Sequence, residues 1–168
     1  MNNPLLKRFP GVIGFPVTPF NDEDQLDEAA FRANLDFMAA HDFAALCCCG
    51  SNGEMPSLTL EEYRRVTAVG SEATQGKMAL IMGVGQTLHT AQAMARVARQ
   101  AGAAGILLVS PYSNDLSDEG LADYYRRVAG AAEIPVALYQ TKWSGLISLK
   151  LFDLVSDVEN ICMVKDEN

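Results

Sequence analysis

Gly11-Val12-Ile13-Gly14-Phe15-Pro16-Val17-Thr18-Pro19-Phe20 is the stretch on which the fold turns. Its first part, Gly11–Thr18, is an apolar run short enough for a buried strand, and it closes on Thr-Pro-Phe rather than on a glycine-rich loop. A doubly wound dinucleotide fold places G-x-G-x-x-G directly after its first strand, where the glycines let the backbone approach a pyrophosphate. That fingerprint is missing. The glycine pair in Gly83-Val84-Gly85 follows a later apolar run and lacks the last glycine, so it reads as a tight strand-to-helix turn.

Further apolar runs of strand length follow at Phe43–Cys49, Met78–Val84, Gly105–Ser110, Ile134–Tyr139 and Asn160–Lys165. Helical stripes fill the gaps between them. Phe31, Leu35 and Met38 form one, and Tyr63, Val66 and Val69 a second. Met94, Val97, Ala98 and Ala101 make a third; Leu121, Tyr124, Tyr125 and Val128 a fourth; Leu151, Leu154 and Val155 a short fifth. Thr59 and Glu62 form a T-x-x-E capping box, and Ser117 and Ser148 stand where N-caps belong. The order is strand-helix repeated, then a last strand, with strand starts roughly every 26 to 35 residues, the size of a βαβ unit.

Alternating strands and helices with apolar strands predict an α/β protein with a parallel sheet covered by helices. Without the dinucleotide loop, the closed (β/α)8 TIM barrel is expected over the open sheet. Such barrels take about 250 residues, whereas this sequence supplies about six strands and five helices. An unfinished barrel exposes two parallel edges. Residues 1–168 are therefore expected to be a single barrel domain, C-terminally truncated, of a protein continuing for roughly 100 residues or more. No linker-like or low-complexity stretch divides it.

The composition is that of an ordinary globular domain, 49% hydrophobic and 20% charged. A net charge of −8 with no Lys/Arg cluster argues against nucleic acid as a partner. No apolar stretch approaches the ~18 residues of a membrane span. The start, MNNPLLKRFPG, has neither the apolar segment nor the cleavage site of a signal peptide, and a cytoplasmic location is expected. Cys47, Cys48 and Cys49 are consecutive, so on a strand they point to alternate faces and cannot converge on one metal. With Cys162 they read as small buried strand residues, and no metal is expected.

In parallel α/β folds the chemistry gathers at the C-terminal ends of the strands. Those positions hold Thr18, the turn Gly50-Ser51-Asn52-Gly53-Glu54, Gly83 to Gly85, Tyr112, Tyr139 and Lys165. Lys165 closes the apolar strand Ile161-Cys162-Met163-Val164. An amine against a low-dielectric wall is more readily deprotonated, and a free amine attacks carbonyl carbon to form a Schiff base. Taken alone, the position equally suits a lysine reaching out to solvent. Tyr139 suits a proton relay or, equally, an amphipathic tyrosine at the rim of a core. Ser51 lies in a glycine-bounded turn whose N–H groups suit a carboxylate, and its hydroxyl suits a relay with Tyr139. Glu54 reads as a carboxylate that binds the loop N–H groups. His41 and His89 fall away from this set and receive no role.

Together these residues resemble the dihydrodipicolinate synthase / N-acetylneuraminate lyase family of class I aldolases. The matching pieces are Phe15-Pro16-Val17-Thr18-Pro19-Phe20, Gly50-Ser51-Asn52-Gly53-Glu54 with Ser57-Leu58-Thr59, and Gly83-Val84-Gly85. Pro111-Tyr112, Ser117-Asp118-Glu119-Gly120-Leu121, Tyr139 and Lys165 complete the set, which runs the length of the chain. The resemblance implies a (β/α)8 barrel with a C-terminal helical extension, working as a homo-oligomer, tetramer or dimer. It implies that Lys165 forms the imine with pyruvate or another 2-oxo acid and that Tyr139 is the general acid/base, with Ser51 in the relay. It further implies that Ser51, Asn52, Tyr112 and Thr18 bind substrate, with no metal or organic cofactor.

Several positions depart from the dihydrodipicolinate-forming members. Ser113 stands where a second tyrosine is common, no arginine follows Tyr139 in Gln140–Gly145, and Asn52 replaces a hydroxyl residue. These features weigh against that synthase activity, whereas Phe15-Pro16-Val17-Thr18, Gly53-Glu54 with Ser57-Leu58-Thr59 and the single Tyr112 resemble the sugar-acid branch, such as the 5-dehydro-4-deoxyglucarate dehydratases. The alternatives are 4-hydroxy-tetrahydrodipicolinate synthase, or a homologue that binds a 2-oxo acid without turnover. Trp143 reads as a rim residue packed on a helix, or as pocket lining.

Overall fold

A computed structural model describes residues 11–111, 116–141 and 146–167. One sheet holds β1 (Val12–Gly14), β2 (Phe43–Cys48), β3 (Ala79–Val84), β4 (Gly105–Val109), β5 (Val136–Gln140) and β6 (Ile161–Asp166). The strands lie in chain order and every neighbouring pair is parallel. The helices α1 (Glu28–Ala39), α2 (Leu60–Thr74), α3 (Leu88–Gln100), α4 (Asp118–Ala132) and α5 (Leu149–Val155) connect them, with a 3-10 turn at Met55–Ser57.

Each α-helix begins on a side-chain cap: Asp27, Thr59, Thr87, Ser117 and Ser148 each accept the N–H three residues on. The expected capping box is present, with Thr59 N–H donating to Glu62 Oε2 at 2.8 Å while Glu62 N–H donates to Thr59 Oγ1 at 3.2 Å. The caps fix where each helix leaves its loop, and the stripes then bury one face. Phe31, Leu35, Tyr63, Val66, Met94, Tyr125 and Val128 pack with Leu46, Cys48, Met82, Ile106 and Leu138 on the outer face of the sheet.

The inner face carries a second, smaller cluster of Ala45, Cys47, Ile81, Leu107 and Tyr139, joined by Ile13 and Phe15. Leu46 and Cys48 face the helices while Ala45 and Cys47 face inward, the two-residue alternation of a strand. The sheet curls, because Lys165 on β6 reaches to 5.3 Å from the centre of the Phe15 ring beyond the end of β1. The result is a six-stranded, curled half-barrel with helices outside.

Some boundaries differ from expectation. The first strand ends at Gly14, not Thr18. Pro16 has no N–H to donate and restrains Phe15, so the ladder cannot continue through them. β5 begins at Val136 because Pro135 precedes it, although the Pro135 carbonyl accepts the Ile106 N–H at 2.9 Å. Cys49 is not a strand residue. It adopts φ of 54° and starts the turn, while remaining buried. Cys162 lies on β6 but is half-buried.

Candidate active site

Lys165 and Tyr139 are register partners on β6 and β5. The Lys165 ammonium lies 3.8 Å from the centre of the Tyr139 ring, where the negative face of the aromatic attracts it. Its side chain keeps 26% of its surface exposed, at the mouth of the curl rather than in the core. Tyr139 is buried to 4%. Ser51 Oγ donates to the Tyr139 hydroxyl at 3.5 Å, the outer limit of a hydrogen bond, across 88 residues of sequence. Three expected residues on three strand ends are therefore brought together.

Thr18 is also at this end, but its hydroxyl has a structural partner. Oγ1 donates to the Gly53 carbonyl at 2.9 Å, in a buried bond that ties the segment after β1 to the Ser51 turn. That turn is held by Gly53 N–H to Gly50 O at 3.0 Å and Glu54 N–H to Ser51 O at 3.1 Å. Among the described residues no carbonyl accepts the N–H groups of Ser51 and Asn52, both exposed at the mouth, so they suit an anion. Glu54 behaves differently from expectation. Its backbone is left-handed, with φ of 51°, and its side chain makes no cap hydrogen bond. Tyr112, Ser113 and Trp143 lie outside the described residues.

Two functional-end residues were missed in the sequence. The first is Glu167. The Lys165 ammonium donates to Glu167 Oε1 and the Tyr139 hydroxyl donates to Glu167 Oε2, so one carboxylate joins the amine and the phenol. The hydrogen bond from Lys165, then that from Tyr139, holds the Glu167 carboxyl below the usual carboxylate range. Its backbone N–H donates to the Gln140 carbonyl at 3.1 Å, extending the β5–β6 ladder past Asp166. The available signal was its position two residues after Lys165 on an extended strand, which puts both on one face.

The second is Gln86, with φ of 73°. Its side-chain amide donates to the carbonyls of Met55 and Pro56 at 3.2 and 3.4 Å, and its own carbonyl accepts from the Tyr124 hydroxyl at 3.4 Å. Gln86 thus fastens the loops after β2 and β3 to α4. Nothing in its local sequence announces this.

Below the mouth lies an apolar cavity of about 290 Å³, lined by Ile13, Phe15, Cys47, Ile81, Leu107 and Met163, with Lys165 at its upper end. A charged ligand gains nothing there, so the polar mouth is the place for an anion. The three consecutive thiols are free. Burial pushes all of them up, Cys48 to about 12, which makes them inert as nucleophiles. Among the described residues no group of three or more His, Cys, Asp or Glu side chains is placed to hold a metal ion. No described helix is long and apolar enough to cross a membrane.

Residues 8–167 match the dihydrodipicolinate synthetase family. The chain belongs to that family. Its members are Schiff-base-forming class I lyases. A probable 5-dehydro-4-deoxyglucarate dehydratase of Bacillus licheniformis is 32% identical over 162 residues, covering 96% of this chain and 52% of that protein. A 4-hydroxy-tetrahydrodipicolinate synthase of Salinibacter ruber is 40% identical over 133 residues, covering 78% of this chain and 44% of that protein. Among solved structures, YagE, a dihydrodipicolinic acid synthase family protein of E. coli K12 in complex with pyruvate, superposes with a TM-score of 0.87. It is 28% identical, and the match covers 93% of this chain and 54% of that one. This dihydrodipicolinate synthetase family chain therefore spans about half the length of the relatives it matches.

Proposed function

We propose that the complete protein is a Schiff-base-forming lyase, an aldolase or dehydratase, acting on a pyruvate-type 2-oxo acid. Lys165 supplies the amine that becomes the imine, Tyr139 the general acid/base, and Ser51 a hydroxyl in its relay. Ser51 and Asn52 hold the substrate carboxylate, with Thr18 and Tyr112 completing the binding set. The observation that carries this reading is the convergence of Lys165, Tyr139 and Ser51 at one mouth from β6, β5 and the turn after β2. The substrate we favour is a 2-oxo-3-deoxy sugar acid such as 5-dehydro-4-deoxyglucarate, in line with the Bacillus licheniformis relative and the absence of arginine after Tyr139. The Salinibacter ruber relative supports a second reading, 4-hydroxy-tetrahydrodipicolinate synthase.

The lyase works inside a closed (β/α)8 barrel. In support, the described half-barrel has an apolar interior and an apolar flank at each end of its sheet and helix layers. Val12 on β1 is 62% exposed and Val164 on β6 41%, while Phe37 on α1 and Leu149 on α5 project from the outer helices. Further strands and helices would cover them. We place the enzyme in the cytoplasm as a homotetramer or dimer, without metal or organic cofactor.

The test is borohydride trapping of the complete protein with pyruvate, followed by peptide mass spectrometry. The expected result is reduction of a pyruvyl imine onto Lys165, and absence of an adduct there sinks the proposal. Turnover of 5-dehydro-4-deoxyglucarate then separates the sugar-acid reading from the synthase.

A further inference from the structure

Forming an imine from a protonated amine moves two protons from nitrogen to oxygen: an ammonium and a ketone become an iminium and water. The amine is Lys165, whose nitrogen sits over the face of the Tyr139 ring, 3.8 Å from its centre, and not in line with its hydroxyl. The phenol oxygen that delivers protons to the departing oxygen stands at the rim of that ring, and the same Glu167 carboxylate bonds both groups. Glu167 accepts from the Lys165 ammonium through Oε1 and from the Tyr139 hydroxyl through Oε2.

We propose that Glu167 carries protons from the Lys165 nitrogen to the Tyr139 oxygen during imine formation. The inference rests on the Schiff-base reading above. In the first cycle the ammonium gives a proton to Glu167 Oε1, and the freed amine forms the C–N bond as the carbonyl π pair moves to oxygen. Tyr139 protonates that oxygen, and Glu167 returns its proton to the phenolate through Oε2. In the second cycle the nitrogen of the carbinolamine gives Glu167 another proton. Tyr139 then protonates the hydroxyl, which leaves as water while the nitrogen lone pair closes the C=N bond, and Glu167 again restores the phenol. Glu167 and Tyr139 end as they began, and both protons reside in the water.

The place of Glu167 is fixed by more than its charge. Its N–H bond to the Gln140 carbonyl continues the parallel ladder. The neighbouring Asp166 accepts from the Gln140 side chain at 2.9 Å, and Gln140 in turn accepts the Ile147 N–H at 2.6 Å. The segment after Lys165 is thus tied to β5 and to the start of α5 by groups that take no part in the reaction.

The experiment follows the rate at which pyruvate, in the presence of borohydride, becomes fixed on Lys165 in the complete protein. Native protein is compared with Glu167→Gln and Glu167→Ala, each with and without added formate. Glu167→Gln keeps the size of the side chain but cannot accept a proton from an ammonium. Both variants are expected to form the adduct roughly 10²–10⁴-fold more slowly, the scale of a lost general acid/base. Formate is expected to speed Glu167→Ala in proportion to its concentration and to leave the native rate unchanged. Either variant matching the native rate overturns the proposal, as does a slow Glu167→Ala that formate does not accelerate. A native protein that forms no adduct overturns the Schiff-base reading itself, a result distinct from a native adduct formed without need of Glu167.

Discussion

Lys165 and Tyr139 occupy the same register level of neighbouring parallel strands, so the β5–β6 ladder sets the height of the amine against the face of the phenol ring. Separate roles follow for the two side chains. Lys165→Ala is expected to abolish the trapped adduct, since the other described lysines, Lys77 and Lys150, are ion-paired with Asp36 and Glu119 elsewhere. Tyr139→Phe keeps the ring and its contact with the amine but loses the hydroxyl. It is expected to bind pyruvate like the native protein and to turn over roughly 10²–10⁴-fold more slowly. Equal turnover would remove Tyr139 from the chemistry.

Thr18→Val is expected to act on the Ser51 turn through Gly53. The substitution keeps the shape but leaves the buried Gly53 carbonyl without its 2.9 Å donor. Such a loss costs about 1–3 kcal/mol, read as a lower urea midpoint. Because Ser51 and Asn52 ride on that turn, KM should rise more than kcat falls. An unchanged midpoint would show that the bond contributes nothing.

Gly83 tolerates no side chain. A Cβ there would stand 1.7 Å from the Cys49 carbonyl oxygen and 2.5 Å from its carbon, both backbone atoms that cannot swing aside. Gly83→Ala is therefore expected to cost about 3 kcal/mol or more and to displace the turn that holds Ser51. Gly130 on α4 is the control. Nothing lies within 4 Å of its position, so Gly130→Ala is expected to stabilise by about 0.5–1 kcal/mol. Thermal unfolding of the two variants should shift in opposite directions.

The buried thiols give alkaline sensitivity. Cys48 titrates at 9.0 when unperturbed and is pushed up to about 12 by burial. Below pH 9 both folded and unfolded chains keep the proton. Above it the unfolded chain releases the proton first, so stability falls as pH rises from 9 towards 12, by about 1.4 kcal/mol per pH unit for each such thiol. Urea midpoints at pH 8 and pH 10 should show the drop, and Cys48→Ala should make it shallower. A midpoint independent of pH across that range would contradict the burial argument.

Much of this molecule is legible in its sequence, because the legible parts are local. Strand runs bounded by turns, helical stripes and the caps Thr59, Ser117 and Ser148 are written within a few residues of where they act. Lys165, Tyr139 and Ser51 come together because all three stand at strand ends, a rule of parallel sheets rather than of any particular pair. The rest depended on distance in the chain. Gly83 looks like a turn glycine, yet it sits within β3 and its absent side chain makes room for the Cys49 carbonyl in the turn after β2. Glu54 looks like a loop carboxylate with work to do, yet its backbone is left-handed and its side chain makes no cap hydrogen bond. Glu167 looks like one more acidic residue after a strand, and only the pairing of β6 with β5 brings Tyr139 to its second oxygen.

Among the described residues β6, like β1, has a neighbouring strand on one side only, while β3 is held on both. Opening β6 away from the sheet therefore breaks one ladder, and its half-buried residues lose little apolar cover in doing so. Amide hydrogens of β6 should exchange with solvent sooner than those of β3, whose exchange requires the whole sheet to come apart. The lysine of this chain is carried on an edge strand, so its alignment with the phenol is a population and not a fixed geometry, and whatever covers that outer edge sets how large the population is.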